Sequence, residues 1–224
     1  MSAKLEFNKE GMKINGQKIL PISAAFHYWR MDPKWWDDVL RELIKDAEMP
    51  MVGSYIPWSI HEPIKGTFDF TGIRNPRANL KGFLDLVAKN GLYFFARSGP
   101  IIIGEIDGGG PPDYSRIVGT RTPRGIELTK AWIEAVSAIW KEYSIHNGGP
   151  LVYLRVDNEI SANDAWWHQF LEERYQSIEA LNAAWGTSFA DFAEAAADKE
   201  VFLGKHQEPK RGEKSNWARP GGIN

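Results

Sequence analysis

The chain has 224 residues, 43% hydrophobic and 25% charged, and its 27 Lys and Arg nearly balance 29 Asp and Glu for a net charge of −2. That is enough chain to bury a sizeable core, and the charge balance argues against nucleic acid or an anionic membrane surface as partner. Cysteine is absent, which excludes disulfides and thiolate metal sites, and no apolar run approaches the roughly 20 residues of a membrane helix.

The opening segment, residues 1–10, lacks the apolar run of a signal peptide, so a cytoplasmic protein is expected. Residues 5–19 alternate in polarity around Asn15-Gly16, a strong hairpin signal. Residues 19–26 read as a strand ending in the polar-aromatic cluster His27-Tyr28-Trp29-Arg30. Asp32-Pro33 supplies an N-cap and a first-turn proline for a helix to about Glu48, with Trp36, Val39, Leu40, Leu43 and Ile44 on one face. Residues 51–56 form a second strand, followed by a loop with His61-Glu62-Pro63 and a helix over about 76–89 that Asn90-Gly91 ends.

A third strand, 92–96, runs into Arg97-Ser98-Gly99-Pro100 and a long loop holding Glu105, Asp107 and a Gly/Pro-rich stretch. The glycine spacing there matches neither common phosphate motif. A helix over about 125–146 carries Trp132 and Trp140 on one face and stops at Asn147-Gly148-Gly149-Pro150. The apolar strand 151–156 follows and breaks off at Asp157, Asn158 and Glu159. Asn163 or Asp164 caps a helix to about 175, Ser177 begins another through Trp185, and 189–199 suggest a short last one. From His206 the composition is that of a loose tail.

Strands alternating with helices argue for an α/β fold with a parallel sheet and right-handed crossovers. Each of the four strands ends in candidate groups: His27, Tyr28 and Arg30; Tyr55, Trp58, His61 and Glu62; Arg97 and Glu105; Asn158 and Glu159. Carboxylates, amides and aromatics gathered at strand C-termini suit a polyhydroxylated ligand, which needs charge-assisted hydrogen bonds and flat apolar platforms. Ten tryptophans add such platforms, although most are expected in the core. Five scattered histidines with no i, i+4 pair give no metal site, and no cofactor is expected.

The blocks Ser54-Tyr-Ile-Pro-Trp-Ser-Ile-His-Glu-Pro63 and Gly66-Thr-Phe-Asp-Phe70 resemble the signature of glycoside hydrolase family 35 β-galactosidases. So do His27-Tyr-Trp-Arg30, Arg97-Ser-Gly-Pro-Ile-Ile-Ile-Gly-Glu105, and Gly148-Gly-Pro150 followed by Val156-Asp-Asn-Glu159. Leu181-Asn-Ala-Ala-Trp-Gly-Thr187 is similar instead to family 42 β-galactosidases of the same clan. The resemblance implies a (β/α)₈ barrel and a retaining glycosidase. Glu159 would be the general acid/base, Asn158 would bind the sugar 2-hydroxyl, and Tyr55, Glu105 and the backbone at Ile103 and Gly104 would bind other hydroxyls. Arg97 would orient carboxylates, and His61-Glu62-Pro63 is read as structural. Ser98, Ile101, Ile103 and Ile106 depart from the family's usual Pro, Tyr, Cys and aromatic residue, and Ala24-Ala25-Phe26 lacks its Gly-Glu start.

A retaining glycosidase also needs a nucleophilic carboxylate about 5–5.5 Å from the acid/base, and a full barrel takes about 250 residues. Here the alternation stops after four units. The expectation is therefore the N-terminal half of a barrel over residues 1–200, with 201–224 a loose tail or truncated continuation and the nucleophile missing; the alternative is Glu105 as a substitute nucleophile. The rival expectation is a non-catalytic sugar-binding or assembly protein in which two half-barrels pair as a homo-oligomer.

Overall fold

The computed structural model describes residues 3–9, 11–103, 106–115, 118, 122–155, 158 and 164–198, and the side chains of 164–166 are not described. The chain divides into two compact units, 1–159 and 160–224.

The first unit opens with an antiparallel sheet of β1 (Leu5–Asn8), β2 (Gly11–Ile14) and β3 (Gln17–Ile19), in that order. Asn15 (φ +51°) and Gly16 (φ +82°) turn β2 into β3, as the sequence predicts. Four strands then lie parallel in sequence order: β4 (Ser23–Ala25), β5 (Met51–Tyr55), β6 (Tyr93–Arg97) and β7 (Leu151–Arg155). Residues 19–26 are thus two short strands instead of one. Ile19 ends β3, and Pro21, which has no amide proton to give a ladder, separates it from β4.

Helical segments fill each crossover, as a (β/α)₈ barrel requires, and the four strands are about its first half. Between β4 and β5 lie a 3₁₀ turn (Pro33–Trp35), α1 (Trp36–Asp38) and a π-helical stretch (Val39–Lys45). Asp32 caps the start, accepting from the Lys34 amide at 3.1 Å. The π stretch corrects the expected apolar face. Asp46 N–H reaches back five residues to Arg41 O, and Met49 to Ile44 O. At this wider pitch Trp36, Leu40 and Ile44 line up and are buried, while Leu43 swings out to 69% exposure.

Between β5 and β6 come α2 (Trp58–His61) and α3 (Leu80–Lys89). Asn79 caps α3 by accepting from the Gly82 amide at 2.9 Å, and Gly91 (φ +69°) follows its end. Leu80, Phe83, Leu84 and Val87 are buried, each contributing about 1.5–3 kcal/mol. Between β6 and β7 runs α4 (Pro123–Tyr143), with Trp132 and Trp140 both buried on its inward face.

The strands present two faces. Ala24, Val52, Phe94 and Leu151 are in register across the sheet and pack with the helices in the main core. The opposite face, the lining of a barrel, carries Ser23, Gly53, Phe95 and Tyr153 in its middle layer. A Cβ on Gly53 would stand 3.3 Å from Ser23 Oγ and 3.4 Å from Phe95 Cδ1. A register irregularity between Phe94 and Phe95 sets Phe95 beside Tyr153 and Arg97 beside Arg155. At the N-terminal end, Met12, Ile14 and Ile19 of the small sheet pack with Ile145, Tyr93, Val152 and Tyr153.

The second unit holds α5 (Asp164–Tyr175), α6 (Ile178–Trp185) and α7 (Phe192–Ala197) around Leu171, Leu181, Trp185 and Ala195. Within the Asn-Ala-Ala-Trp-Gly-Thr stretch, Asn182 clasps the loop after α6. It donates to Phe189 O at 2.8 Å and accepts from Thr187 Oγ1 and Phe189 N at 2.9 Å each. The expected tail lies outside the described residues.

Candidate functional site

The C-terminal ends of β5, β6 and β7 bring together residues distant in sequence. Tyr55 ends β5 with its ring on the lining face, and its hydroxyl donates to Asn158 Oδ1 at 3.0 Å. The Asn158 amide donates in turn to the carbonyl of Ile102 at 2.8 Å. Asn158 is 4% exposed and Tyr55 6%, so both bonds are made away from bulk water and fix the amide's orientation.

Two groups hold the Tyr55 ring. The Arg97 guanidinium lies 4.0 Å from its centroid. On the other side of the chain's first crossover, His27 packs against it at 5.3 Å and stacks on Trp29 at 5.8 Å. His27 Nδ1 accepts from the Tyr55 amide at 3.3 Å, and Trp29 Nε1 donates to the Tyr55 carbonyl at 3.0 Å. Within the first strand's cluster, His27 and Trp29 therefore seat Tyr55.

The loop after β6 shapes the other wall. Gly99 adopts φ +73°, where a Cβ would come within 2.8 Å of the Ile101 amide. Ile102 N–H is bound by Gly109 O at 2.8 Å, and the neighbouring Gly110 O takes the Ser59 amide at 2.8 Å. The loops after β5 and β6 are thus stitched together, and the Ile102 carbonyl is held toward Asn158. Ile103 follows at φ +40°, unusual for a β-branched residue, with its side chain 45% exposed.

Beneath these loops the His61 imidazole is fully buried. Its Nδ1 lies 2.7 Å from the Asp69 carbonyl, which can only accept, so Nδ1 carries the proton and Nε2 accepts from the Tyr28 hydroxyl at 2.5 Å. Burial pushes its pKa down to about 4, against a smaller upward pull from Asp69, and raises that of Tyr28. Burial also pushes the Asp69 carboxyl up, but amides of Arg74, Thr71, Asn75 and Gly72 outweigh it and hold the group below its ordinary value. Glu62 accepts from the Trp58 indole and from the Gly66 amide, which fits the structural role expected for the His-Glu-Pro turn.

Of the residues expected in the site, Tyr55, Asn158 and Arg97 come together, and Ile103 adjoins them. Gly104, Glu105 and Glu159 lie outside the described residues. Sequence reasoning passed over Arg155, whose signal was an arginine inside an otherwise apolar strand, and the Ile102 carbonyl, which no side-chain pattern marks. Among the described residues no group of three or more His, Asp or Glu could hold a metal ion, and no helix is long and apolar enough to cross a membrane. An oriented amide, a phenol, a guanidinium and stacked aromatic faces are equipped to bind a polyhydroxylated molecule.

The sequence profile of Glycosyl hydrolases family 35 matches residues 11–211. The chain is 29% identical to an exo-beta-D-glucosaminidase of Pyrococcus horikoshii, over 88% of the chain and 30% of that protein. It is 32% identical to beta-galactosidase 13 of Arabidopsis thaliana, over 71% of the chain and 19% of that protein. The chain therefore spans less than a third of the length of these relatives. Among solved structures, an exo-beta-1,4-mannosidase from Opitutaceae bacterium strain TAV5 superposes with a TM-score of 0.53 at 18% identity, over 74% of the chain and 30% of that protein.

Proposed function

We propose, from the premise that the chain belongs to Glycosyl hydrolases family 35, that it forms part of a retaining glycosidase acting on terminal β-galactosides. Asn158, buried and pinned by Tyr55 and Ile102 at the end of β7, is the observation that carries this reading. It offers a fixed amide to a sugar hydroxyl, and the next residue in the chain is the candidate acid, Glu159. In this reading Glu159 protonates the glycosidic oxygen as the bond to the anomeric carbon breaks, then takes a proton from the water that releases the sugar. Tyr55 holds Asn158 and lines the site, Arg97 fixes the Tyr55 ring, and Gly104 and the Ile103 backbone, with Glu105, complete the hydroxyl contacts. The nucleophilic carboxylate comes from outside these residues.

The test is hydrolysis of an aryl β-galactoside by the purified chain, beside its Glu159→Gln variant. The expected result is galactoside binding with no turnover. Turnover that vanishes in Glu159→Gln would mean both carboxylates are at hand and would overturn the missing nucleophile. Turnover unaffected by Glu159→Gln would overturn the acid/base assignment.

A second reading rests on the sheet's edges. β4 and β7 each have one strand neighbour among the described residues, and a barrel lining needs cover on both edges. Two copies pairing as half-barrels into a sugar-binding assembly would supply it. A light-scattering mass of twice 25.4 kDa with galactoside binding and no turnover favours this reading, and a monomer removes it.

A further inference from the structure

Arg97 and Arg155 are register partners on neighbouring parallel strands, β6 and β7. Tyr55 is the partner of Arg97 on β5, so the three residues form one layer across the C-terminal end of the sheet. Their common face follows from the strand period of two. Phe95 and Tyr153, two residues earlier on the same strands, meet edge to face at 6.0 Å on the lining side, and Arg97 covers the Tyr55 ring there. Neighbouring parallel strands run about 4.8 Å apart, so two guanidinium groups start from backbone positions closer than the reach of either side chain.

Such a pairing of like charges is unfavourable unless an anion compensates it. Among the described residues neither arginine makes an ion pair, and Arg97 Nε is buried with no hydrogen-bond partner. Both side chains are half-buried. A buried donor left unmet is rare and costly, and a planar fork of donors matches a carboxylate in two places at once. The chain's net charge of −2 supplies no general reason for cations to gather here.

We propose that Arg97 and Arg155 form an anion site on the lining face, and that the sugar taken beside Tyr55 and Asn158 is a uronic acid whose carboxylate bridges the two guanidinium groups. This rests on the reading of Tyr55 and Asn158 as a sugar site and adds the substrate's charge to it. A ligand is favoured over a protein carboxylate because Arg97 is stacked on Tyr55, which is itself bonded to Asn158, so the cations and the hydroxyl-binding amide make one continuous patch.

The probes are methyl β-galactoside and methyl β-galacturonoside, which differ only in a hydroxymethyl exchanged for a carboxylate. Both are titrated calorimetrically into the chain at low ionic strength, then into Arg155→Gln and Arg155→Lys, with circular dichroism to check folding. The uronoside is expected to bind about tenfold or more tightly than the galactoside, the scale of one charge-assisted hydrogen-bond pair. Arg155→Gln should abolish that preference, and Arg155→Lys should keep part of it. Equal affinities in the parent, or a preference that survives both Arg155→Gln and Arg97→Gln, would overturn the anion site and leave the sugar site standing. Equal affinities would also direct the pair toward a protein carboxylate. Binding of neither glycoside would remove both.

Discussion

Tyr55 and Asn158 lie 103 residues apart in the chain, yet the phenol of one donates to the amide oxygen of the other at 3.0 Å in a buried setting. This bond links the end of the second strand of the parallel sheet to a residue three positions past the end of the fourth. Tyr55→Phe keeps the ring under Arg97 and removes only the donor. The Asn158 oxygen then loses a buried partner, a loss of about 1–3 kcal/mol. Urea unfolding should show a lower midpoint with an unchanged slope, and galactoside affinity should fall because the amide keeps its bond to Ile102 but loses the one that holds its oxygen.

Acid should weaken the first unit through His61. Its folded pKa of about 4 lies below the ordinary 6.5, so between those values the unfolded chain binds a proton that the folded chain refuses. Stability is therefore full above pH 6.5 and declines as pH falls to about 4, by about 3 kcal/mol in all. Asp69, also held below its ordinary value, adds a further loss only at lower pH. Urea midpoints between pH 7 and pH 4 should fall steeply in the parent. His61→Gln should begin lower, with imperfect bonds to Tyr28 and Asp69, but show a flatter dependence on pH.

Two adjacent glycines before β7 should behave differently. Gly148 sits at φ +85° with open space where a Cβ would go, so Gly148→Ala costs about 1 kcal/mol in backbone strain. A Cβ on Gly149 would stand 2.1 Å from the carbonyl oxygen of Tyr143, which is backbone at the end of α4 and cannot turn aside. Gly149→Ala should therefore lower the thermal midpoint by clearly more than Gly148→Ala. Equal shifts would mean that the turn into β7 moves freely.

Ile103 holds a left-handed conformation with an exposed, β-branched side chain. Asparagine tolerates that conformation better, so Ile103→Asn should raise stability by about 1 kcal/mol while placing a polar group beside the site. Parallel urea melts and galactoside titrations would read both effects. A loss of stability would mean that the isoleucine's packing outweighs its backbone strain.

The strands and most helices were legible because aliphatic runs, Asp-Pro and Asn-Gly signals are local. The π-helical turn was not, since Trp36, Leu40 and Ile44 fit a pattern that α-helical spacing extends to Leu43, and only the backbone pitch separates the two. Within the site, Tyr55 and Asn158 were legible as polar residues ending apolar strands, but the bond between them depends on tertiary register. The Arg97–Arg155 pairing depends on an irregularity at Phe94/Phe95 that no residue type announces. The Ile103 conformation is hidden because β-branched residues ordinarily avoid it. Glu159 lies outside the described residues, and its role is carried by the motif around it.

The small sheet of β1, β2 and β3 gives the parallel sheet a direction. Met12, Ile14 and Ile19 pack with Tyr93, Val152 and Tyr153, and Tyr153 extends its hydroxyl to Met12 Sδ at 3.4 Å. The N-terminal ends of β6 and β7 are stoppered by this contact, like the foot of a vessel with one mouth. A solute reaching the lining from below would have to displace an apolar plug, whereas from above it meets Tyr55, Arg97, Arg155 and Asn158 directly.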